Sequence, residues 1–227
     1  MTPCSVVVFA KAPVPGRVKT RMTPPLSPEQ AAQLYAAMLG DVLEVTAEFA
    51  ERRELDAVLL VDPAAACGDL ARTAPPRFRI SAQRGPDLSA RMAWAIAEAA
   101  ATGSRRVLVR GSDSPALESS TLDVALDALA ECDLSVCPDL DGGYSLIALT
   151  RPVPGLFDHP MSTGRVLDDT LDNARRDGVR VRVLSPHFDL DTAEDLTHLA
   201  RARSEGRAQG CRRTLAYLDE QALWPDG

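Results

Sequence analysis

The basic residues of this sequence are almost all arginine, and the two exceptions lie close together. Of the 25 basic residues, 23 are arginine, and the two lysines are Lys11 and Lys19. Both fall in one long segment, AKAPVPGRVKTRMTPPLS (residues 10–27). Lysine is a compact point charge whereas arginine is a planar fork, and lysine binds phosphate as a point charge. The pair therefore indicates a phosphate-binding loop; the alternative is two solvated surface lysines.

The spacing of this loop excludes the best-known phosphate-binding motif. A Walker A loop requires a lysine directly after its second glycine, whereas Gly16 is followed by Arg17-Val18-Lys19-Thr20. The loop is longer than most connections, and such loops are usually functional or disordered. Its four prolines argue against disorder because each proline fixes its own φ. We therefore expect an ordered, functional loop that is not a P-loop.

Aspartates follow three predicted strands. Asp113 lies in GSDSP, Asp141 in DLDGGY, and Asp189 and Asp191 in DLDT. In an open α/β sheet, ligands bind beyond the carboxyl ends of the strands. Magnesium prefers carboxylate oxygens and completes its coordination shell with substrate phosphate. The aspartates therefore predict a divalent metal, Mg²⁺ or Mn²⁺, at that edge of the sheet.

Each aspartate also has a purely structural interpretation. Asp113, followed by Ser and Pro, suits an Asx-turn, and Asp141-Gly142 is a hairpin signal. Asp191 with Glu194 resembles a helix N-cap and its N3 partner. The run DLDT also resembles the nucleophile motif of haloacid-dehalogenase-type phosphatases, but the position of its threonine and its late place in the chain disfavour that reading.

Composition limits the class of protein. The net charge is −7, and a nucleic-acid binder normally carries a basic field, so we expect no nucleic-acid partner. Hydrophobic residues make up 45% and charged residues 25%, which are ordinary values for a globular protein. No apolar run approaches the roughly 20 residues of a membrane span. We expect no signal peptide, because an apolar, strand-like run begins at Cys4.

The five cysteines have no C-x-x-C pair, and Cys4 and Cys137 lie in apolar runs. This pattern is typical of reduced, buried thiols. We therefore expect a cytoplasmic protein without disulfides. Its oligomeric state stays open, with a homodimer as one option.

Apolar runs and helical periodicities alternate along the chain. The predicted strands are residues 4–10, 56–61, 78–82, 105–110, 133–137, 144–149 and 179–184. The predicted helices are residues 28–50, 64–73, 88–102, 119–131, 164–177, 193–203 and 207–223.

This alternation predicts βαβ units, with a mostly parallel sheet and helices on both faces. The runs 133–137 and 144–149 are too close for a parallel crossover, which indicates one antiparallel strand. Without a linker-like stretch, residues 1–227 should form one domain.

The motifs, taken in order, resemble a known bacterial family. They are FAKAPVPGRVKTRM, PEQAAQLYAAML, GSDSPAL, DGGYSLIAL and DLDTAEDL. This combination is similar to the glycosyltransferase A, or selenodomain-associated transferase, family of the nucleotide-diphospho-sugar transferase superfamily. That family is related to molybdenum-cofactor and phospholactate nucleotidyltransferases.

The resemblance implies a Rossmann-like GT-A fold and a set of site residues. Asp113 and Asp191 would hold the metal, and the segment 16–21 would meet the nucleotide phosphates. Asp141, Gly142 and Gly143 would line the acceptor side. The resemblance also implies a ligand contact for Ser162 and Thr163.

Three functional hypotheses follow. The first is a metal-dependent transferase that acts on a nucleotide sugar and a small acceptor. Its catalytic residues, at the reacting phosphates, would be Lys19, Arg21 and Asp113. Lys11, Gly16 and Thr20 would bind the nucleotide together with Lys19 and Arg21. The second is a nucleotidyltransferase that moves NMP from an NTP to a small phosphorylated acceptor. The third is a nucleotide-binding protein without turnover.

Overall fold

A computed structural model describes residues 3–225. The strands are β1 (Cys4–Lys11), β2 (Asp56–Asp62), β3 (Phe78–Ala82), β4 (Arg106–Arg110), β5 (Leu134–Pro138), β6 (Tyr144–Leu149) and β7 (Val181–Val183). The helices are α1 (Pro28–Arg52), α2 (Cys67–Thr73), α3 (Leu88–Ala101), α4 (Ser119–Ala128), α5 (Val166–Arg176), α6 (Leu196–Ser204) and α7 (Arg212–Glu220). Every predicted element is present. The outermost residues of the single domain predicted over 1–227 lie outside the described residues.

The seven strands form one sheet in the order β3-β2-β1-β4-β6-β5-β7. Strand β6 runs antiparallel to both of its neighbours, β4 and β5. The other pairs, β1–β2, β1–β4, β2–β3 and β5–β7, are parallel. The prediction of a mostly parallel sheet with one antiparallel strand is therefore confirmed.

Helices cover both faces of the sheet, as predicted. On β1, Val6 and Val8 point into a core packed by α1 and α4, whereas Val7 points into a second core packed by α3. This burial on both faces explains why β1 reads as a continuous apolar run rather than as an alternating one. A third core joins the outer side of α1 to α6 and α7, so α1 is buried between the sheet and the C-terminal helices.

Helix α1 begins as the sequence predicts. Ser27 Oγ accepts a hydrogen bond from Gln30 N, and Gln30 Oε1 accepts one from Ser27 N, which completes a capping box with Pro28 at the first turn. The late helices are shorter than predicted. Helix α6 begins at Leu196 instead of residue 193, because the Asp195 carboxylate turns the preceding segment back on itself.

Two further features concern the cysteines and the length of the helices. All five cysteines are free thiols, and four of them are buried, including Cys4 and Cys137. Within residues 3–225, no helix is both long enough and apolar enough to cross a bilayer.

Candidate functional site

The strand order brings the predicted site residues to one edge of the sheet. From β1 the chain moves outward to β2 and β3, and it then returns to place β4 on the other side of β1. Such a switch point leaves a crevice at the carboxyl ends of the strands. A cleft of about 990 Å³ lies there. It is lined by the first loop, the segment 111–114, the β5–β6 hairpin, the segment 161–164 and two residues of DLDT.

Lys19 lies at the centre of this edge. Its backbone is left-handed, with φ of 48°, and it precedes a short 3₁₀ turn at Thr20–Met22. Its ammonium contacts the Asp113 carboxylate and lies 2.8 Å from Asp191 Oδ1, and only 4% of the side chain is exposed. Burial alone would lower the pKa of Lys19, but the two carboxylates hold it above its ordinary value. Lys19 is therefore charged and bridges two aspartates that are both assigned to the metal.

The interpretation of Asp191 as a helix N-cap is wrong. Asp195, rather than Asp191, accepts the backbone N–H groups at this turn, at 2.9 Å from Asp191 and 2.7 Å from Thr192. The Asp191 carboxylate points instead to Lys19 and, at 3.4 Å, to Arg21. Burial raises the pKa of Asp191, but Lys19 lowers it by more, so the net shift is downward.

The Asx-turn interpretation of Asp113 is wrong as well. Among residues 3–225, no backbone N–H donates to the Asp113 carboxylate, which contacts Lys19. The backbone of Asp113 has a separate role, because its carbonyl accepts a hydrogen bond of 2.9 Å from Leu190 N. This bond joins the GSDSP and DLDT segments, so Asp113 and Asp191 are held next to each other.

Asp141 does form a turn, as one interpretation predicted. Its Oδ1 accepts a hydrogen bond of 2.8 Å from Gly143 N in the β5–β6 hairpin. Gly142 has φ of 90°, and a Cβ built on it would lie 2.2 Å from the carbonyl oxygen of Gly164. Only glycine fits this position, and the contact presses the hairpin against the segment that carries Ser162 and Thr163, which also line the cleft.

The structure adds the carboxyl group of Asp139, which the sequence analysis did not single out, and brings it to Asp189, which was named there only as part of DLDT. Ligand atoms of Asp139, Asp141 and Asp189 all lie within 4.8 Å of one another. Burial, together with the neighbouring aspartates, raises the pKa of Asp139 and that of Asp189 to about 7. The signal in the sequence was the D-x-D spacing that DLDGGY shares with DLDT.

The chemistry of this edge fits a divalent cation. Seven carboxyl groups line the cleft, and five of them belong to the GSDSP, DLDGGY and DLDT segments. Among residues 3–225, Lys19 is the one buried cation in contact with those five. Burial raises the pKa of Asp139 and that of Asp189, and the neighbouring aspartates raise them further, so a cation there would favour the ionised carboxylates. Carboxylate oxygens are the ligands that magnesium and manganese prefer, so the residues fit the metal that the resemblance implies.

The remaining residues predicted for the nucleotide lie on the first loop. Lys11, Thr20 and Arg21 are exposed and line the cleft. Arg17, which belongs to the predicted segment 16–21 but was not named individually, lines it as well. Gly16 has φ of 71° and shapes a turn outside the cleft, so the structure does not bring this residue to the others.

The chain matches a protein family over its central part. A family model with the description "Uncharacterized protein conserved in bacteria (DUF2064)" matches residues 45–163. That span is more than half of the 227 residues. It includes Asp113 and Asp141, and it ends at Thr163.

Three relatives extend the comparison. A phosphoenolpyruvate guanylyltransferase of Sphaerobacter thermophilus is 29% identical over 186 residues, which are 80% of this chain and 86% of that protein. A solved structure from Desulfovibrio desulfuricans G20, provisionally described as a nucleotide-diphospho-sugar transferase, is 28% identical, with a TM-score of 0.85 over 100% of both chains. Rv0371c of Mycobacterium tuberculosis H37Rv, solved in complex with manganese, is 19% identical, with a TM-score of 0.51 over 88% of this chain and 99% of that one. This last likeness concerns the fold alone.

Proposed function

The chain belongs to the bacterial family DUF2064, and on that premise we propose that it transfers a nucleotidyl group from a nucleoside triphosphate to a small acceptor with the help of a divalent metal. It is an enzyme of the nucleotidyl- or nucleotide-sugar-transferase kind, like the two relatives of similar length. Nucleotidyl transfer is favoured because the curated relative, with 29% identity over most of both chains, is a guanylyltransferase.

The observation that carries the proposal is the position of Lys19 between Asp113 and Asp191. These two carboxylates come from segments that follow different strands, β4 and β7, and Lys19 joins them at the switch point where a ligand crevice forms. In the proposal, Asp113 and Asp191 hold the metal with the adjacent carboxyl groups of Asp139 and Asp189. A bound metal would neutralise charge on phosphate oxygens and orient them.

The chain's own cations complete the phosphate site. Arg21 and Lys11 reach into the cleft from the first loop and bind the triphosphate, while Lys19 keeps fixed positive charge beside it. Preorganised charge of this kind stabilises a transition state because it needs no reorganisation during the reaction. An acceptor oxygen then attacks the α-phosphorus, and the bond to the bridging oxygen breaks to release pyrophosphate. Asp141, Gly143, Ser162 and Thr163 line the proposed acceptor side.

Glycosyl transfer is the second candidate, because the structural relative with a TM-score of 0.85 is described as a nucleotide-diphospho-sugar transferase. The same loop would then hold a leaving nucleoside diphosphate. The released product separates the two reactions. Pyrophosphate from a triphosphate donor supports nucleotidyl transfer, and a nucleoside diphosphate from a nucleotide sugar supports glycosyl transfer.

The first test is a thermal-shift screen of nucleoside triphosphates and nucleotide sugars, with and without Mg²⁺ or Mn²⁺. At a hundredfold excess over Kd, a ligand stabilises the fold by about 2.7 kcal/mol, which corresponds to a Tm rise of roughly 5–10 °C for this chain length. We expect that rise only with metal present. No shift with any nucleotide would contradict the proposal, and a shift without turnover would favour a nucleotide-binding protein.

The second test removes the proposed metal ligands while it keeps their shape. Asp113→Asn and Asp191→Asn retain the size of each side chain but lose its charge. We expect each variant to fold and to lose the metal-dependent Tm rise. The control is Asp69→Asn on α2, whose carboxylate pairs with Arg72 outside the cleft. Parent-like metal dependence in both site variants would refute the assignment of the metal ligands.

A further inference from the structure

A second cation, Arg110, is completely buried directly beneath the site. It is the last residue of β4 and comes immediately before the GSDSP segment, and its side chain is 1% exposed. Among the described residues, no carboxylate oxygen lies within 4.0 Å of its guanidinium. Its titratable neighbours include the thiols of Cys137 and Cys211 and the imidazole of His187, and burial lowers the pKa of Arg110 to about 10.

The hydrogen bonds of Arg110 lead to the site rather than to an ion partner. Nη2 donates to the Ser114 carbonyl at 3.1 Å, and Nη1 donates to Thr46 Oγ1 on α1, also at 3.1 Å. Thr46 Oγ1 in turn donates to the Val42 carbonyl at 2.6 Å. The third guanidinium donor, Nε, has no partner among the described residues. Arg110 therefore ties the residue after Asp113 to the middle of α1.

Helix α1 holds the same segment at a second point. Lys11 N donates to Tyr35 Oη at 2.9 Å, and Tyr35 Oη lies 2.8 Å from Ser112 Oγ. The residues on both sides of Asp113 are thus bonded to groups on α1, one through Tyr35 and the other through Arg110. The position of the Asp113 carboxylate is set by these two attachments and by the bond from Leu190 N.

Stability alone does not account for Arg110. Removing a buried charge from water is costly, and a well-packed hydrophobic residue in its place is often neutral or stabilising. The large penalty for breaking a buried ion pair arises from the partner charge left behind, and Arg110 has no such partner.

We propose that Arg110 is a positioning residue, which fixes the segment 111–114 against α1 so that the Asp113 carboxylate faces the metal and the donor phosphates. This assignment rests on the proposed function, because it acts through Asp113. It predicts that a variant without Arg110 still folds but binds the metal more weakly.

The test compares Arg110→Met with Arg106→Met. Arg106 lies four residues earlier on the same strand and therefore on the same face, far from the cleft. For Arg110→Met we expect an unchanged or higher Tm without ligand, a Kd for MnCl₂ at least ten times that of the parent, and faster hydrogen exchange confined to residues 111–117. Arg106→Met should match the parent in Mn²⁺ affinity and exchange.

Two further variants keep the test decisive. Arg110→Lys retains the charge and reach toward one of the two partners, so it should recover part of the Mn²⁺ affinity. Thr46→Val removes the hydrogen-bond partner of Arg110 on α1 and leaves Arg110 in place, so it should weaken Mn²⁺ binding, as Arg110→Met does. If Arg110→Met does not fold, the Mn²⁺ affinity of Thr46→Val tests the proposal instead. Parent-like Mn²⁺ affinity, or exchange that rises throughout the chain together with a lower Tm, would overturn the proposal. If the parent itself shows no metal-dependent nucleotide binding, the proposed function fails instead.

Discussion

The two sides of the cleft hold their charges in different ways. On the first-loop side, the cations Lys11, Arg17 and Arg21 are exposed, and 70% of the Arg21 side chain is accessible to solvent. On the opposite side, the carboxyl groups of Asp139 and Asp189 are partly buried beside other aspartates. Water screens the first set, whereas the second set is poorly screened.

The difference shows which part of the site is preorganised. Exposed side chains adapt to a ligand, and an exposed ion pair contributes little to stability. The acidic side is already assembled by strand order and by the hairpin at Gly142. The pKa values of Asp139 and Asp189 are raised first by burial and then by repulsion from neighbouring aspartates. Lys19 joins the two sides, since it comes from the first loop but is buried among the carboxylates.

The largest effect should come from Lys19→Arg, which moves the charge that joins the two sides. An arginine is longer and planar, so it cannot place a single ammonium between Asp113 and Asp191. A displacement of about 1 Å can cost on the order of 10²-fold in rate, and we expect a turnover loss of that size with a lower Tm. The matched control is Lys11→Arg at the exposed end of β1, which should lose far less. Equal losses in the two variants would remove the distinction between them.

A large stability effect should follow from Gly142→Ala in the acidic hairpin. An alanine at this position would have to adopt a left-handed backbone conformation, which costs about 1–2 kcal/mol. Its Cβ would also overlap the Gly164 carbonyl, and overpacking of this kind costs about 1–3 kcal/mol. Gly155→Ala is the control, because Gly155 has φ of 73° and open space around it. Both variants carry the backbone cost, so urea unfolding should show about 1–3 kcal/mol more destabilisation for Gly142→Ala, from the overlap alone. Similar losses would mean that the contact with Gly164 does not constrain the hairpin.

Stability should depend on pH because of Asp139 and Asp189. Their pKa is about 7 in the folded chain, whereas the ordinary value is 3.8. Between these values the unfolded chain releases protons that the folded chain keeps, so the free energy of unfolding should fall as pH rises toward 7. Asp189→Asn should flatten this dependence, and Mn²⁺ should oppose it by favouring the ionised carboxylates. A parent and variant with the same slope would contradict the electrostatic strain on this side.

The smallest effect should come from Arg21→Gln on the exposed side. The Arg21–Asp191 pair spans 3.4 Å, and the arginine is mostly solvated, so we expect less than about 1 kcal/mol of lost stability. Nucleotide affinity should nevertheless fall, most clearly at low ionic strength where screening is weak. A calorimetric titration at two salt concentrations measures this. If Arg21→Gln lost as much stability as Gly142→Ala, Arg21 would contribute to the fold as a buried charge does, and the distinction between the two sides would fail.

The strands could be predicted because their signal is local. The run CSVVVFA is apolar at every position except Ser5, since β1 is buried on both faces. The Ser27–Gln30 capping box marks the start of α1 directly. The convergence of Asp139 and Asp189 could not be predicted in the same way. It depends on the pairing of β5 with β7, and strand order is a property of the whole fold.

The contacts of the two buried cations, Lys19 and Arg110, could not be predicted from the sequence either. The rarity of lysine drew attention to Lys19, which lines the cleft, but composition carries no information on which group its ammonium contacts. In the sequence, Arg110 is the last residue of a predicted strand and shows no further signal. The apolar residues Leu108 and Val109 predict that strand whether or not an arginine follows them. Only the position of α1 over that face shows that Arg110 is buried.

The contact between Lys19 and Asp191 also bears on how the chain folds. The two residues are separated by 172 positions in the sequence, and contacts of such separation form slowly because the closure of a long loop must come first. Lys19 can meet its second carboxylate only after the segment beyond β7 has docked. Metal binding would then report the final step of folding, and refolding followed by Mn²⁺ should lag behind refolding followed by helix content.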